Sequence, residues 1–187
     1  MADPDGILLT WIGEGPMDEE VLDRVRWQVA DALALPTRLT AVNGPPGDTL
    51  DAKRGQHSST RILRWILTGI PRRAEKVVGI TDVDLFIPVL TFVFGEAQVG
   101  GSAAVVSTAR LRLTYDDRPA PHDLVEGRLV KECLHELGHT FGLVHCPEAA
   151  CVMSRSNSIL DVDQKRAALC RVCRRRLDDL MQERNRS

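Results

Sequence analysis

Eleven consecutive residues constrain this chain more than any others: His135-Glu136-Leu137-Gly138-His139-Thr140-Phe141-Gly142-Leu143-Val144-His145. On a helix His135 and His139 stand one turn apart, which puts both imidazoles on one face about 6 Å apart at Cβ, close enough to converge on one Zn²⁺. Glu136 lies about 100° further round the helix. There it flanks the open side of the ion and can take a proton from a water. Gly142 lets the chain reverse, so that His145 swings back and completes a set of three nitrogens. With 5 His and 14 Gly in 187 residues, chance yields this pattern on the order of 10⁻⁵ times per sequence. Three neutral imidazoles leave the ion at 2+ with a position open, the donor set of a catalytic rather than a closed site.

The residues before the string predict the helix that carries it. Asp123-Leu124-Val125-Glu126 fits a capping box, and Leu129, Val130, Cys133, Leu134, Leu137 and Phe141 form a continuous buried stripe of about five turns. Leu134, Leu137 and Phe141 are read as core, and Cys133 on the same stripe as a small inert core residue. Gly138, in mid-helix at a cost of about 1 kcal/mol, is expected to admit close approach of a neighbouring element.

Four of the five cysteines follow the last histidine, as Cys146-x4-Cys151 and Cys170-x2-Cys173. Four thiolates at this spacing make a closed tetrahedral zinc site, structural because no position is left for water, and it staples the C-terminal segment to the histidine loop. Two disulfides are the alternative, and they need an oxidising compartment. The start of the chain, Met1 to Gly6, is acidic and lacks the basic-then-apolar layout of a secretory signal, so a reducing, cytoplasmic setting is expected. Twenty-four Lys and Arg against 26 Asp and Glu give a charge of −2, which removes the global electrostatic case for nucleic acid or a membrane surface. No apolar run approaches the roughly 20 residues of a membrane span. Arg171, Arg174, Arg175 and Arg176 cluster near the end, but Asp178 and Asp179 follow at once, the pattern of a solvated helix face.

The first half reads as alternating strands and helices. Strands are expected at Ile7 to Ile12, Arg38 to Val42, Val77 to Thr81, Thr91 to Phe94 and Ala103 to Ser107, the last two neighbouring across a Gly100-Gly101 turn. Helices are expected from Asp18 to Leu35, ended by Pro36, and from Ser59 to Leu67, capped by Ser58 or Ser59 and followed by Pro71. Asn43 to Asp48 and Asp82 to Pro88 read as loops. His57 and His122 carry no motif and are read as a helix-entry residue and a neighbour of the helix cap.

The string from His135 through Cys146-x4-Cys151-x-Met153 to Cys170-x2-Cys173 resembles the archaemetzincin family of zinc metallopeptidases, and so do Thr81 to Leu85 and Phe92 to Ala97. The resemblance covers about residues 51 to 181. It implies an α+β, metzincin-like fold: a twisted mixed β-sheet, an active-site helix behind the cleft and a small C-terminal part stapled by zinc. It further implies His135, His139 and His145 on a catalytic zinc, Glu136 as general base, Cys146, Cys151, Cys170 and Cys173 on a structural zinc, and Met153 as the methionine of the turn beneath the metal. From the residues alone Met153 reads as core. Some metzincins carry a tyrosine just after that methionine to steady the oxyanion, whereas Ser154-Arg155-Ser156 follows here, leaving that role to Tyr115 or a backbone N–H.

The expectation is therefore one metallopeptidase domain over 1–187, with a sheet-plus-helices part (1–115), the active-site helix and zinc loop (121–145) and a zinc-stapled tail (146–187). Its activity is peptide-bond hydrolysis with two zinc ions per chain, acting on a peptide or protein substrate that pairs with an edge strand if Thr91 to Phe94 is one, an interior strand being the other reading of that segment. An aminopeptidase would need an acidic group for the substrate amine, with Glu96 and Asp84 as candidates. A zinc-stabilised, catalytically silent binding or regulatory module is the alternative, with the arginine cluster as its surface. Oligomeric state and cleavage position are left open.

Overall fold

A computed structural model describes residues 6–42, 44–69 and 76–184. Met1 to Asp5, Asn43 and Pro71, on which expectations above fall, lie outside them.

Four parallel strands build most of the main sheet: β1 (Ile7–Trp11), β2 (Thr37–Ala41), β5 (Lys76–Thr81) and β8 (Ala103–Ser107). Their order is β2-β1-β5-β8, and β7 (Gly95–Ala97) adds antiparallel to β8 at the edge, so the sheet is mixed. Every residue of β1, β5 and β8 is buried, because both faces of the sheet are covered. The strand period of two sorts them. Ile7, Leu9, Trp11, Val78, Ile80, Ala104 and Val106 join the core beneath α1 (Glu19–Leu33) and α3 (His122–Thr140). Leu8, Ile12, Val77, Ala103 and Val105 face α2 (Ser59–Gly69) on the other side.

The helix boundaries follow their caps. Asp18 accepts from the Val21 N–H at the start of α1, and Ala34 in the left-handed region ends it before Pro36. The Arg61 N–H reaches Ser58 Oγ at the start of α2. On α3 the expected stripe, Leu129 to Phe141, is buried in the main core. Its capping box does not form: Pro121 occupies the N-cap and His122 begins the helix. Glu126 instead accepts from Arg24 Nε and Gln28 Nε2 of α1, a cross-helix ion pair replacing a local cap.

Two strand expectations need correction. Thr91 to Phe94 is not a strand, and only Val93 forms a bridge, to Leu85; the strand antiparallel to β8 is β7, which follows it. Within the expected Asp82 to Pro88 loop lies β6 (Leu85–Phe86), which pairs with β4 (Gln56–Ser58), itself paired with β3 (Leu50–Asp51), in a small second sheet. The β4–β6 pairing joins residues distant in the chain, which no local pattern shows, whereas β7 and β8 form a hairpin whose strand bounds propensity does not fix. His57 in β4 is buried, its Nδ1 2.8 Å from Thr49 Oγ1.

After α3 the chain runs through a long irregular segment to α4 (Ile159–Gln164) and ends in α5 (Arg171–Arg184). Arg128 of α3 is buried and forks onto Asp163 at 2.6 and 2.7 Å, and Lys131 Nζ donates to the Val162 and Asp163 carbonyls, so α4 is latched to α3. Among the described residues no helix is long and apolar enough to cross a membrane.

Candidate active site

Helical periodicity places His135, Glu136 and His139 on the lining of a cleft of about 670 Å³, and the turn at Gly142, where φ is 102°, returns His145 to the same cleft. The three rings are mutual neighbours, with His145 5.3 Å from His135 and 4.9 Å from His139 between centroids. His135 Nδ1 lies 2.8 Å from the Val152 carbonyl and His139 Nδ1 2.8 Å from the Leu143 carbonyl. A carbonyl only accepts, so each Nδ1 carries the proton and each Nε2 is left as a lone pair. Those two Nε2 atoms face each other at 3.1 Å.

Two bare acceptors this close repel unless a cation lies between them, and burial pushes the proton affinity of both rings down. The separation matches the edge of roughly 3.3 Å of a tetrahedron of nitrogens around zinc. One donor atom each from His135, His139 and His145 lies within 4.8 Å of the others. The donor set therefore fits a divalent ion, with the carbonyls of Val152 and Leu143 orienting two of its ligands.

Glu136 is buried and lines the same cleft. Burial, reinforced by the charge of Glu132, holds its carboxyl well above the usual range. It fits because residue 95 has no side chain: a Cβ on Gly95 would come within 2.7 Å of Glu136 Oε1 and 2.8 Å of the Val105 carbonyl. The edge strand β7 thus passes directly over the carboxylate. Gly138 has a comparable reason, since a Cβ there would overlap the sulphur of the fully buried Met153.

Cys146, Cys151, Cys170 and Cys173 bring their sulphurs within 4.8 Å of one another. Cys146 and Cys170 stand at 3.9 Å, too far for a disulfide and close to the roughly 3.8 Å edge of a zinc–thiolate tetrahedron. The main-chain N–H of Cys170 points at the Cys151 sulphur, and that of Cys173 at the Cys170 sulphur, which pulls the Cys170 thiol below its ordinary range. Cys133 lies in the core, where burial pushes its thiol up.

A buried ion pair behind the histidines has no local sequence signal. Lys165, which follows α4, has a fully buried side chain with Nζ 3.5 Å from Glu132 Oε1 and 3.5 Å from His135 Nδ1. Burial raises the Glu132 carboxyl while Lys165 opposes the rise. Glu96 lines the cleft and accepts from Ser59 Oγ and Thr60 Oγ1 at the start of α2, whereas Asp84 is engaged by Arg110 and Gln56 away from it. Tyr115, His57 and His122 do not line the cleft; Arg155, Ser156 and Asn157 do. The arginine cluster lies on α5, where Arg174 donates to the Ala32 carbonyl.

Residues 68–179 match peptidase family M54. The chain is similar to the archaemetzincin of Methanocaldococcus jannaschii, 37% identical over 165 residues that cover 88% of this chain and 89% of that one. Among solved structures it resembles the archaemetzincin of Methanopyrus kandleri, with a TM-score of 0.84, 36% identity and 96% of both chains covered. It also resembles that of Archaeoglobus fulgidus complexed with malonate, with a TM-score of 0.75, 31% identity, and 91% of this chain and 98% of that one covered.

Proposed function

This chain belongs to peptidase family M54 and is an archaemetzincin-type zinc metallopeptidase acting on peptides or proteins; from that premise we propose that it hydrolyses peptide bonds with Glu136 as general base. The observation that carries the reading is the pair of bare Nε2 atoms 3.1 Å apart beside a buried carboxylate in an open cleft. His135, His139 and His145 hold the catalytic zinc, and Cys146, Cys151, Cys170 and Cys173 hold a structural one, two ions per chain. Bound at the histidines, zinc supplies Lewis acidity, which acidifies water and polarises a carbonyl.

The protein's own groups do the rest. Glu136 takes a proton from the attacking water as its oxygen bonds to the scissile carbonyl carbon, then delivers that proton to the amine nitrogen as the C–N bond breaks. Burial and the charge of Glu132 raise its proton affinity and a nearby cation lowers it; a group that must first take and then release a proton needs both pulls. Substrate lies extended along the open edge of β7, bonded through its main chain, so that Gly95 brings the peptide against Glu136. Met153, packed on Gly138, supports the floor of the site. Residues 1–187 act as one domain because the segment after α3 supplies the Val152 carbonyl that orients His135.

The test pairs metal content with turnover. The wild type is expected to carry two zinc ions and cleave members of a mixed peptide library, and Glu136→Gln to keep both ions while losing at least about 10²-fold in kcat. Equal turnover by the two proteins would remove Glu136 from the reaction. Zinc without turnover by either would favour the catalytically silent module.

A further inference from the structure

The charge lining the cleft is lopsided. Glu96, Glu132 and Glu136 contribute carboxylates, and among the described residues the one Lys or Arg side chain on the lining is Arg155. Glu132 is answered from behind by Lys165, and Glu96 by hydroxyls. Other arginines are engaged: Arg110 forks onto Asp84 and Arg128 onto Asp163. Arg155 has no hydrogen bond or ion pair among the described residues and is exposed to the cleft. Its backbone is held nonetheless. Met153 is locked against Gly138, the Ser154 N–H and Oγ bond the carbonyls of Cys151 and Ala149, and the Asn157 N–H bonds Asp161. Next to it Ser156 Oγ is buried without a partner, so this wall holds a second polar group with its hydrogen bonding open.

We propose that Arg155 recognises a substrate carboxylate flanking the scissile bond, making this enzyme selective for acidic peptides. The inference rests on the peptidase reading and adds the chemical class of substrate to it. A guanidinium presents a planar fork of donors that matches a carboxylate, and an anchored backbone reduces the ordering needed to use it. Its position is on the same cleft lining as the three histidines and Glu136. The carboxylate has two sources, an Asp or Glu side chain or the C-terminus of a short peptide.

Both sources are tested with one set of peptides on the zinc-loaded full chain. The first arm places Glu, Gln or Lys at each position flanking the cut in amidated peptides; the second compares free and amidated C-termini with neutral side chains. In one arm the wild type is expected to prefer the carboxylate by about tenfold or more in kcat/KM, as a charge-assisted hydrogen bond implies. That ratio is expected to fall towards one in Arg155→Ala, to be kept in part in Arg155→Lys, and to invert towards Lys peptides in Arg155→Glu. A wild-type ratio of one in both arms, or a ratio that survives Arg155→Ala, overturns the proposal. So does an equal fall on every peptide, which would make Arg155 part of the general machinery. If no peptide is cleaved the peptidase reading fails, and the inference is then judged by binding. Labelled Glu and Gln peptides are titrated by fluorescence anisotropy onto zinc-loaded Glu136→Gln, with and without Arg155→Ala, at low and high salt. A salt-sensitive preference for Glu that disappears with Arg155→Ala supports it; equal binding or none overturns it.

Discussion

His135 Nδ1 lies 2.8 Å from the carbonyl oxygen of Val152, and Val152 stands between Cys151 and Met153. The group that orients one histidine is therefore held by the same short segment that supplies Cys151 to the cysteine cluster. That segment is pinned further by the Cys146 N–H on the Met153 carbonyl and the Val152 N–H on the Ala168 carbonyl, each near 3 Å. The two clusters form one mechanical unit.

Cys151→Ser should therefore affect both clusters. It is expected to release the ion from the cysteines and to weaken metal binding at the histidines by about 10–100-fold, the usual effect of disturbing a ligand's outer partner. Metal content by mass spectrometry and a chelator titration measure the two losses separately. Unchanged affinity at the histidines would show that Val152 is held without the cluster.

Gly138→Ala tests the contact between helix and methionine. Overpacking against Met153 is expected to destabilise by about 1–3 kcal/mol, outweighing the gain of about 0.5–1 kcal/mol in helix propensity. Denaturant unfolding of the zinc-loaded protein should show a lower midpoint with an unchanged slope. A higher midpoint would mean that Met153 moves aside freely.

Lys165→Met leaves the Glu132 carboxylate buried without its partner. Breaking such a pair is expected to cost about 3–5 kcal/mol, and adding Glu132→Gln should restore much of it. A double-mutant cycle on unfolding free energy reads the coupling, and additive losses would contradict the pairing.

Asp161 gives a pH signature. One of its oxygens accepts from the Asn157 N–H, the Ser158 N–H and Ser158 Oγ, and these bonds hold its carboxyl below the usual range. The folded state binds that proton less readily than the unfolded one. Its stabilisation is therefore complete above the ordinary carboxylate pKa and disappears as pH falls through the folded value. Asp161→Ala should be about 1 kcal/mol less stable near neutrality and approach the wild type in acid, followed by thermal midpoints across pH.

Much of the candidate site was legible because its chemistry is local. The spacing of His135 and His139, the glycine that turns the chain towards His145, and the Cys-x2-Cys pair act over a few residues, so fixed helix and turn geometry carries them into three dimensions. The same holds for the buried stripe of α3 and the apolar strands β1, β5 and β8. The edge strand was misplaced for the opposite reason. Thr91 to Phe94 has the higher β-propensity, but β8 pairs with Gly95 to Ala97, where the missing side chain admits Glu136. Propensity yields there to packing against a neighbour.

By itself the sequence determined which three histidines and which four cysteines come together, and the helix beneath the first group, since each depends on periodicity and residue chemistry. Only the tertiary structure decided that Glu126 binds α1 rather than capping its own helix, that Lys165 reaches Glu132 from across the fold, and that Arg155 faces the cleft without a partner among the described residues. Those outcomes depend on which distant segments come within 3 to 4 Å of each other. Side-chain charge pairs at that range are selected by the packing of the whole chain, and no window along the sequence contains both partners.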